Sequence, residues 1–312
     1  MRRICSNEPV PESARLAIFC GKGGVGKTTL SLAAGLKHAR NGRRALVISS
    51  HPLGELALAV SLEDLSARFP AAASNLFVLY IDPRELISDL VRKHFPVTLM
   101  AERILSSSVF ANLIEIAPGL KEFFFLGRLQ ELSERRKRDS AIPMPDFDCL
   151  IWDAPASGHF LSTLRSAKGF EVFLTGPLAT AGEQLHRFFA NPRNIQLFPV
   201  TSLEEMAIAE TLELAGSMSR DFGVPCSAVL VNCASPMCAA PEAGIAGLSE
   251  ATDSSPALRF AVKRGLAERE RSLQLRAALP APQMLIPRIT QWSNDLDLIA
   301  RIGDRMDFSQ FS

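Results

Sequence analysis

Short, uninterrupted apolar runs alternate along the chain with longer stretches whose apolar residues recur at helical spacing. The runs are Leu16-Ala17-Ile18-Phe19-Cys20, Ala45-Leu46-Val47-Ile48-Ser49, Phe77 to Ile81, Cys149 to Trp152, Ser227 to Val231 and Met284-Leu285-Ile286. Each has the length and composition of a strand. None alternates apolar with polar, so each predicts a strand covered on both faces, as in a parallel sheet. After the first run, Leu30, Ala33, Ala34 and Leu36 to Ala39 follow a helical period. Strands interleaved with helices predict a doubly wound, mostly parallel α/β fold.

Two stretches depart from that rhythm. Residues from about 84 to 140 carry no strand signal, and Leu86, Leu90, Ile104, Leu105, Leu113, Ile116 and Phe123 to Leu126 recur at helical spacing. They predict a helical insertion in a single domain spanning 1–312. Phe123-Phe124-Phe125 reads as a buried helix face, with a greasy client surface as the alternative. Arg135-Arg136-Lys137-Arg138 reads as a solvated helix end, or else a basic patch. Leu296 to Phe311 predicts a last helix docked on the sheet, since its polar positions lack the basic residues of a membrane-surface helix.

Composition narrows the classes. Lys and Arg number 34 against 33 Asp and Glu, a net charge of +1 that speaks against general nucleic-acid or anionic-membrane binding. No apolar run approaches the ~20 residues of a membrane span. Six cysteines without a framework suit a reducing cytoplasm. The start, Met1-Arg2-Arg3-Ile4-Cys5-Ser6, lacks the apolar core of a signal peptide.

The chemistry concentrates between the first strand and first helix. Gly21-Lys22-Gly23-Gly24-Val25-Gly26-Lys27-Thr28-Thr29 fits G-x-x-x-x-G-K-[ST], and it sits in the strand–loop–helix context that a phosphate-binding loop needs. Glycines let successive N–H groups line a concavity, and the helix N-terminus adds roughly half a positive charge. In that frame Lys27 reaches the β- and γ-phosphates and the Thr28 hydroxyl ligates Mg²⁺. A dinucleotide loop would read G-x-G-x-x-G with no Lys-Thr behind it. The expected fold is thus a P-loop NTPase, with ATP and Mg²⁺ as cofactors. A second candidate stretch is Trp152-Asp153-Ala154-Pro155-Ala156-Ser157-Gly158-His159. An aspartate closing a buried strand opposite a phosphate loop suits Mg²⁺, and Gly158 offers a backbone N–H to the γ-phosphate. Asn232, at another strand end, offers both a donor and an acceptor to a base edge, with a turn role as the alternative. Pro287 joins Asn232 and the loop, Gly21 to Thr29, among the candidate nucleotide contacts.

These residues resemble an ATPase family, the one containing the arsenite-pump ATPase and the tail-anchored-protein targeting ATPase. Lys22 to Thr29 is similar to its deviant phosphate loop, shared with ParA/MinD proteins and the nitrogenase iron protein. Asp153 to His159 is similar to its second switch. Ile81-Asp82-Pro83, Ala117-Pro118-Gly119-Leu120, Pro199 to Met206 and Val229-Leu230-Val231-Asn232 extend the likeness from residue 16 to about 290. The resemblance implies a nucleotide-switched dimer, homodimeric or paired with a homologous ATPase. Lys22 would reach across to the partner's nucleotide, and Asn232 would recognise adenine. A solvated surface role is the other reading of Lys22. The cargo, a protein or an anion, stays open.

One departure bears on activity. The family's first switch reads S-[TS]-D-P-A-H-x-L, and its aspartate orients the attacking water. Here Ser50-His51-Pro52-Leu53-Gly54-Glu55-Leu56 puts His51 in that place and Gly54 where the family has histidine. Lys22, Lys27, His51 and Gly158 are the candidate catalytic residues. His51 admits two readings, an ATPase of low turnover or a regulatory subunit beside an active homologue. No C-x-x-C pair is present to clamp a dimer through zinc. Cys233 and Cys238, spaced C-x₄-C, read as inert thiols rather than a metal or arsenite site.

Overall fold

The computed structural model describes residues 16–49, 62–82, 86, 119–134, 147–173, 177–241 and 255–308. The candidate residue His51 with its neighbours Gly54 and Glu55, most of the expected helical insertion and the basic run 135–138 lie outside them.

Seven parallel strands form one sheet in the order β3-β2-β4-β1-β5-β6-β7. They are β1 Leu16–Gly21, β2 Ala45–Ser49, β3 Leu76–Tyr80, β4 Cys149–Ala156, β5 Ile195–Thr201, β6 Val229–Ala234 and β7 Gln283–Pro287. β1 is the middle strand, with Leu16 beside Leu150 of β4 on one side and Ile195 of β5 on the other. Its side chains alternate between two cores. Leu16, Ile18 and Cys20 join one cluster, Ala17 and Phe19 the other. That is the two-sided burial expected of an unbroken apolar run. The edge strand β3 departs from it and exposes one face, through Val78 and Tyr80.

The helices follow the strands onto both faces. On the first lie α4 Leu120–Glu134, α5 Ser157–Phe173, α6 Pro177–Phe189 and α7 Glu205–Phe222. Trp152 of β4 anchors this core, with Phe125, Phe160 and Phe189 around its indole at 5.4, 5.4 and 6.5 Å between centroids. Phe123 and Phe125 are buried in it and Phe124 packs against its edge, so the phenylalanine run is a core face. On the second face lie α1 Lys27–Arg40 and α9 Asp295–Arg305. The short α2 Leu62–Arg68 and α3 Pro70–Ala73 precede β3, and α8 Pro256–Ala278 precedes β7. Among the described residues no helix is long and apolar enough to cross a membrane.

The strand predictions need three amendments. β4 runs on to Ala156, and β6 begins two residues later than its apolar run and continues to Ala234. β5 is not among the expected strands at all. Its Pro199 removes a ladder donor, which demotes such a run when read alone. Here Pro199 sits beside Cys20 next to the central strand, and pairing with β6 is confined to Val200–Leu230 and Thr201–Val231, with an isolated bridge from Leu197 to Cys226.

The last helix packs chiefly along α1 rather than directly on the sheet. Asn294 caps it by accepting from the Asp297 N–H at 2.9 Å. Arg40 pairs with Asp304 at 2.7 Å, and the Lys37 ammonium donates to the Met306 carbonyl. Beyond it Phe308 lies 5.7 Å from the His38 ring in a stacked pose and 5.7 Å from Phe198. Burial, helped by Arg43 and Lys37, pushes the His38 imidazole down from 6.5 to about 4. A histidine held neutral stabilises fully above its unfolded pKa and loses that contribution as pH falls toward the folded one. The expected cost is about 2 kcal/mol between pH 8 and pH 5. Urea midpoints at the two pH values check it, and the uncharged His38→Gln chain should lose that share of the pH dependence.

Candidate functional site

The loop from Gly21 to Gly26 lies at the C-terminal end of the central strand, in the crevice where α/β sheets bind ligands. Gly21 leaves the strand at φ 139°, and a Cβ there would sit 2.2 Å from the Val200 carbonyl oxygen of β5. Gly26 closes the loop at φ 92° as the N-cap of α1, and a Cβ there would lie 2.4 Å from Asn232 Nδ2. The helix has neither a side-chain cap nor an acidic residue in its first turn. Contrast α9, which has Asn294 as cap and Asp295 and Asp297 in its first turn. The α1 N-terminus thus keeps its free N–H groups and positive dipole end for an anion.

The charged groups converge on that end. Lys27 Nζ folds back to donate to the Lys22 carbonyl at 2.9 Å. Burial lowers its pKa, against the opposing fields of the Asp153 and Glu210 carboxylates. A cation partly stripped of water, with its ammonium turned to the loop, gains most from an incoming anion. Thr28 Oγ1 donates to Asp153 Oδ2 at 2.8 Å, which joins the first turn of α1 to β4 across 125 residues of chain. Asp153 is 7% exposed. A hydroxyl and a carboxylate held together beside an uncapped helix N-terminus are hard oxygen ligands of the kind Mg²⁺ takes, so the residues present fit that ion. Gly158 is in the first turn of α5, with open space where a Cβ would point.

Asn232 is committed in a way its sequence position does not reveal. Its Nδ2 donates to the Val25 carbonyl at 2.8 Å, and its Oδ1 accepts from the Cys233 N–H at 2.9 Å. It fastens the loop to the end of β6 and still has one amide hydrogen and one lone pair to offer. Cys233, the next residue of β6, has φ 54° where the pairing with β7 shifts register. A cavity of about 330 Å³ opens beside it, lined in part by Ser202, Asn232, Phe260, Lys263 and Arg288. Pro287 lies one residue before Arg288 and pairs with Ala234 of β6. The structure therefore gathers Gly21 to Thr29, Asp153, Gly158 and Asn232 at one end of the sheet, with Pro287 on the neighbouring strand. Glu210 belongs to the same constellation and is absent from the sequence-based candidates, because one glutamate on a helix surface carries no local signal. It contacts Lys22 at 3.8 Å.

The thiols stand apart from this chemistry. Burial raises Cys20 well above its ordinary range, raises Cys149 and Cys226 to about 11, and raises Cys238 as well. No group of three or more His, Cys, Asp or Glu poised for a metal occurs among the described residues.

Comparison with known proteins decides the family. The sequence model of the anion-transporting ATPases matches residues 14–182, which include the loop, Asp153 and Gly158. The chain belongs to the anion-transporting ATPase family. It is 25% identical over 232 residues to the ATPase BagA of Mycobacterium tuberculosis, covering 70% of this chain and 64% of that protein. Over 225 residues it is 27% identical to the arsenical pump-driving ATPase of Escherichia coli, covering 63% and 36%. Over 156 residues it is 29% identical to the ATPase GET3 of Candida glabrata, covering 46% and 43%. The chain thus spans under two-thirds of the length of each of these family members.

Proposed function

We propose that this chain is a cytoplasmic Mg-ATP-binding ATPase, one P-loop domain that works as a nucleotide-switched dimer on a protein or anion cargo. The observation that carries the reading is the convergence of Lys27, the 2.8 Å Thr28–Asp153 pair and the uncapped N-terminus of α1 at the end of the central strand. Loop N–H groups and Lys27 hold the β- and γ-phosphates, and Thr28 and Asp153 hold Mg²⁺, which would draw charge off the transferred phosphoryl group. Gly158 follows the γ-phosphate, and Lys22 reaches the partner's nucleotide. The base occupies the cavity beside Asn232, close to Pro287. Order in the loops that depends on the γ-phosphate is the device by which such sites switch.

A second reading rests on His51, which stands where the first switch of this family places its aspartate. It makes the chain a nucleotide-binding regulatory subunit paired with an active homologue. Steady-state ATP hydrolysis by the wild type beside His51→Asp, with nucleotide affinity measured in parallel, separates the two. Robust wild-type turnover that His51→Asp does not raise is the expected result for the ATPase. Binding without turnover, and activity gained on His51→Asp, establishes the subunit instead. Failure to bind Mg-ATP overturns both.

A further inference from the structure

Glu210, on α7, has no part in the roles above, yet it touches two elements of the site at once. Its Oε2 accepts a 2.8 Å hydrogen bond from the hydroxyl of Ser157, the first residue of α5 and the neighbour of Gly158. Its Oε1 lies 3.8 Å from the Lys22 ammonium, each side chain about a third exposed. We propose that Glu210 is a positioning residue, a clasp that holds Lys22 on its own subunit and ties the phosphate loop to the start of α5 until nucleotide draws the lysine away. The proposal rests on reading the loop as a nucleotide site, and it adds a control on when Lys22 is available.

The strengths of the two contacts suit such a clasp. An ion pair this exposed changes an equilibrium by up to about fivefold, so a polyphosphate carrying several charges displaces the carboxylate readily. The Ser157 bond joins a neutral hydroxyl to the charged carboxylate, and it fixes the carboxylate rotamer before Lys22 arrives. Lys22 therefore pairs with a preset partner, while Ser157 keeps its bond when Lys22 leaves. The first turn of α5, where Gly158 lies, thus shares a carboxylate with the loop. Loss of Lys22 from that carboxylate is felt one residue from the γ-phosphate sensor. No other acidic side chain makes an ion pair with Lys22 among the described residues.

The experiment is competitive acylation of lysines in the full chain, read residue by residue by mass spectrometry. It compares wild type, Glu210→Gln and Ser157→Ala without nucleotide. Glu210→Gln keeps the size of the side chain and a partner for Ser157 but removes the ion pair. Lys22 labelling should rise about threefold in it, with the lysines outside the loop unchanged, as release from a weak exposed pair predicts. Ser157→Ala, which unpins the carboxylate, should raise it too and serves if Glu210→Gln does not fold. In the second arm, affinity is measured for the Mg complex of a non-hydrolysable ATP analogue. Glu210→Gln should tighten it about threefold by removing the competitor, and the gain should vanish in a Lys22→Ala background. Unchanged Lys22 labelling, or an equal gain in the Lys22→Ala chain, overturns the clasp. An analogue that fails to bind wild type defeats the nucleotide reading instead, while altered labelling upholds the contact.

Discussion

Lys27→Ala is expected to cut ATP hydrolysis by about 10²–10³-fold, the scale on which removing one preorganised charge-stabilising group acts. The same substitution should leave the nucleotide-free fold as stable as before, or slightly more so. The two halves have one cause. Lys27 is held half-buried with its ammonium on a backbone carbonyl, and burial depresses its pKa despite the nearby Asp153 and Glu210 carboxylates. In the absence of an anion it is a cation whose lost hydration is incompletely offset, so the empty protein loses little with it. Stability and activity part company at sites built for a ligand. Thermal unfolding with and without Mg-ATP tests both halves. Wild type at a hundredfold excess over Kd should gain about 2.7 kcal/mol from the ligand, and Lys27→Ala a much smaller part of it. A Lys27→Ala chain that keeps wild-type turnover would mean that the loop does not hold the reacting phosphate.

How much of this is legible in the sequence depends on where the information resides. The loop and its strand–loop–helix setting are local, and Gly21 to Thr29 fall where the motif places them. Asp153 is readable because it follows at once on the unbroken apolar run Cys149 to Trp152, and it meets Thr28 across 125 residues of chain. β5 escapes such a reading because Pro199 breaks the local rule for a central strand, and the compensation lies in β1 and β6 rather than in β5. Asn232 stands out as a polar group at a strand end. Its actual partner, the Val25 carbonyl, exists only once β6 and the loop share an edge of the fold. Glu210 is invisible for the same reason. A glutamate on an amphipathic helix reads as solvated until α5 and the loop arrive on either side of it. Local motifs announce themselves, whereas residues that tie motifs together depend on topology.

Gly21→Ala should be the most damaging small substitution in the site, costing about 3–5 kcal/mol of stability, the range in which strain and overpacking combine. The backbone there has φ 139°, a region that side-chain-bearing residues rarely enter. The added methyl would also lie 2.2 Å from the Val200 oxygen, 3.2 Å from its carbonyl carbon and 3.4 Å from its nitrogen. All three are main-chain atoms, so no rotamer change relieves them. Val200 is fully buried, and its strand is fixed between β1 on one side and β6 on the other. Relief therefore means prying β1 from β5 at the root of the loop, which damages fold and loop together. Two neighbours are the controls. Gly23 has neither a positive φ nor any atom within 4 Å of where an added methyl would sit, so Gly23→Ala should stay within about 0.5 kcal/mol of wild type. Gly24 has the same open space but φ 84°, so Gly24→Ala isolates the backbone cost, about 1–2 kcal/mol. Urea titration of the three chains at one pH should rank them Gly21, Gly24, Gly23 from most to least destabilised. A Gly21→Ala chain no weaker than Gly24→Ala would show that the close approach of β5 contributes nothing beyond the strained backbone.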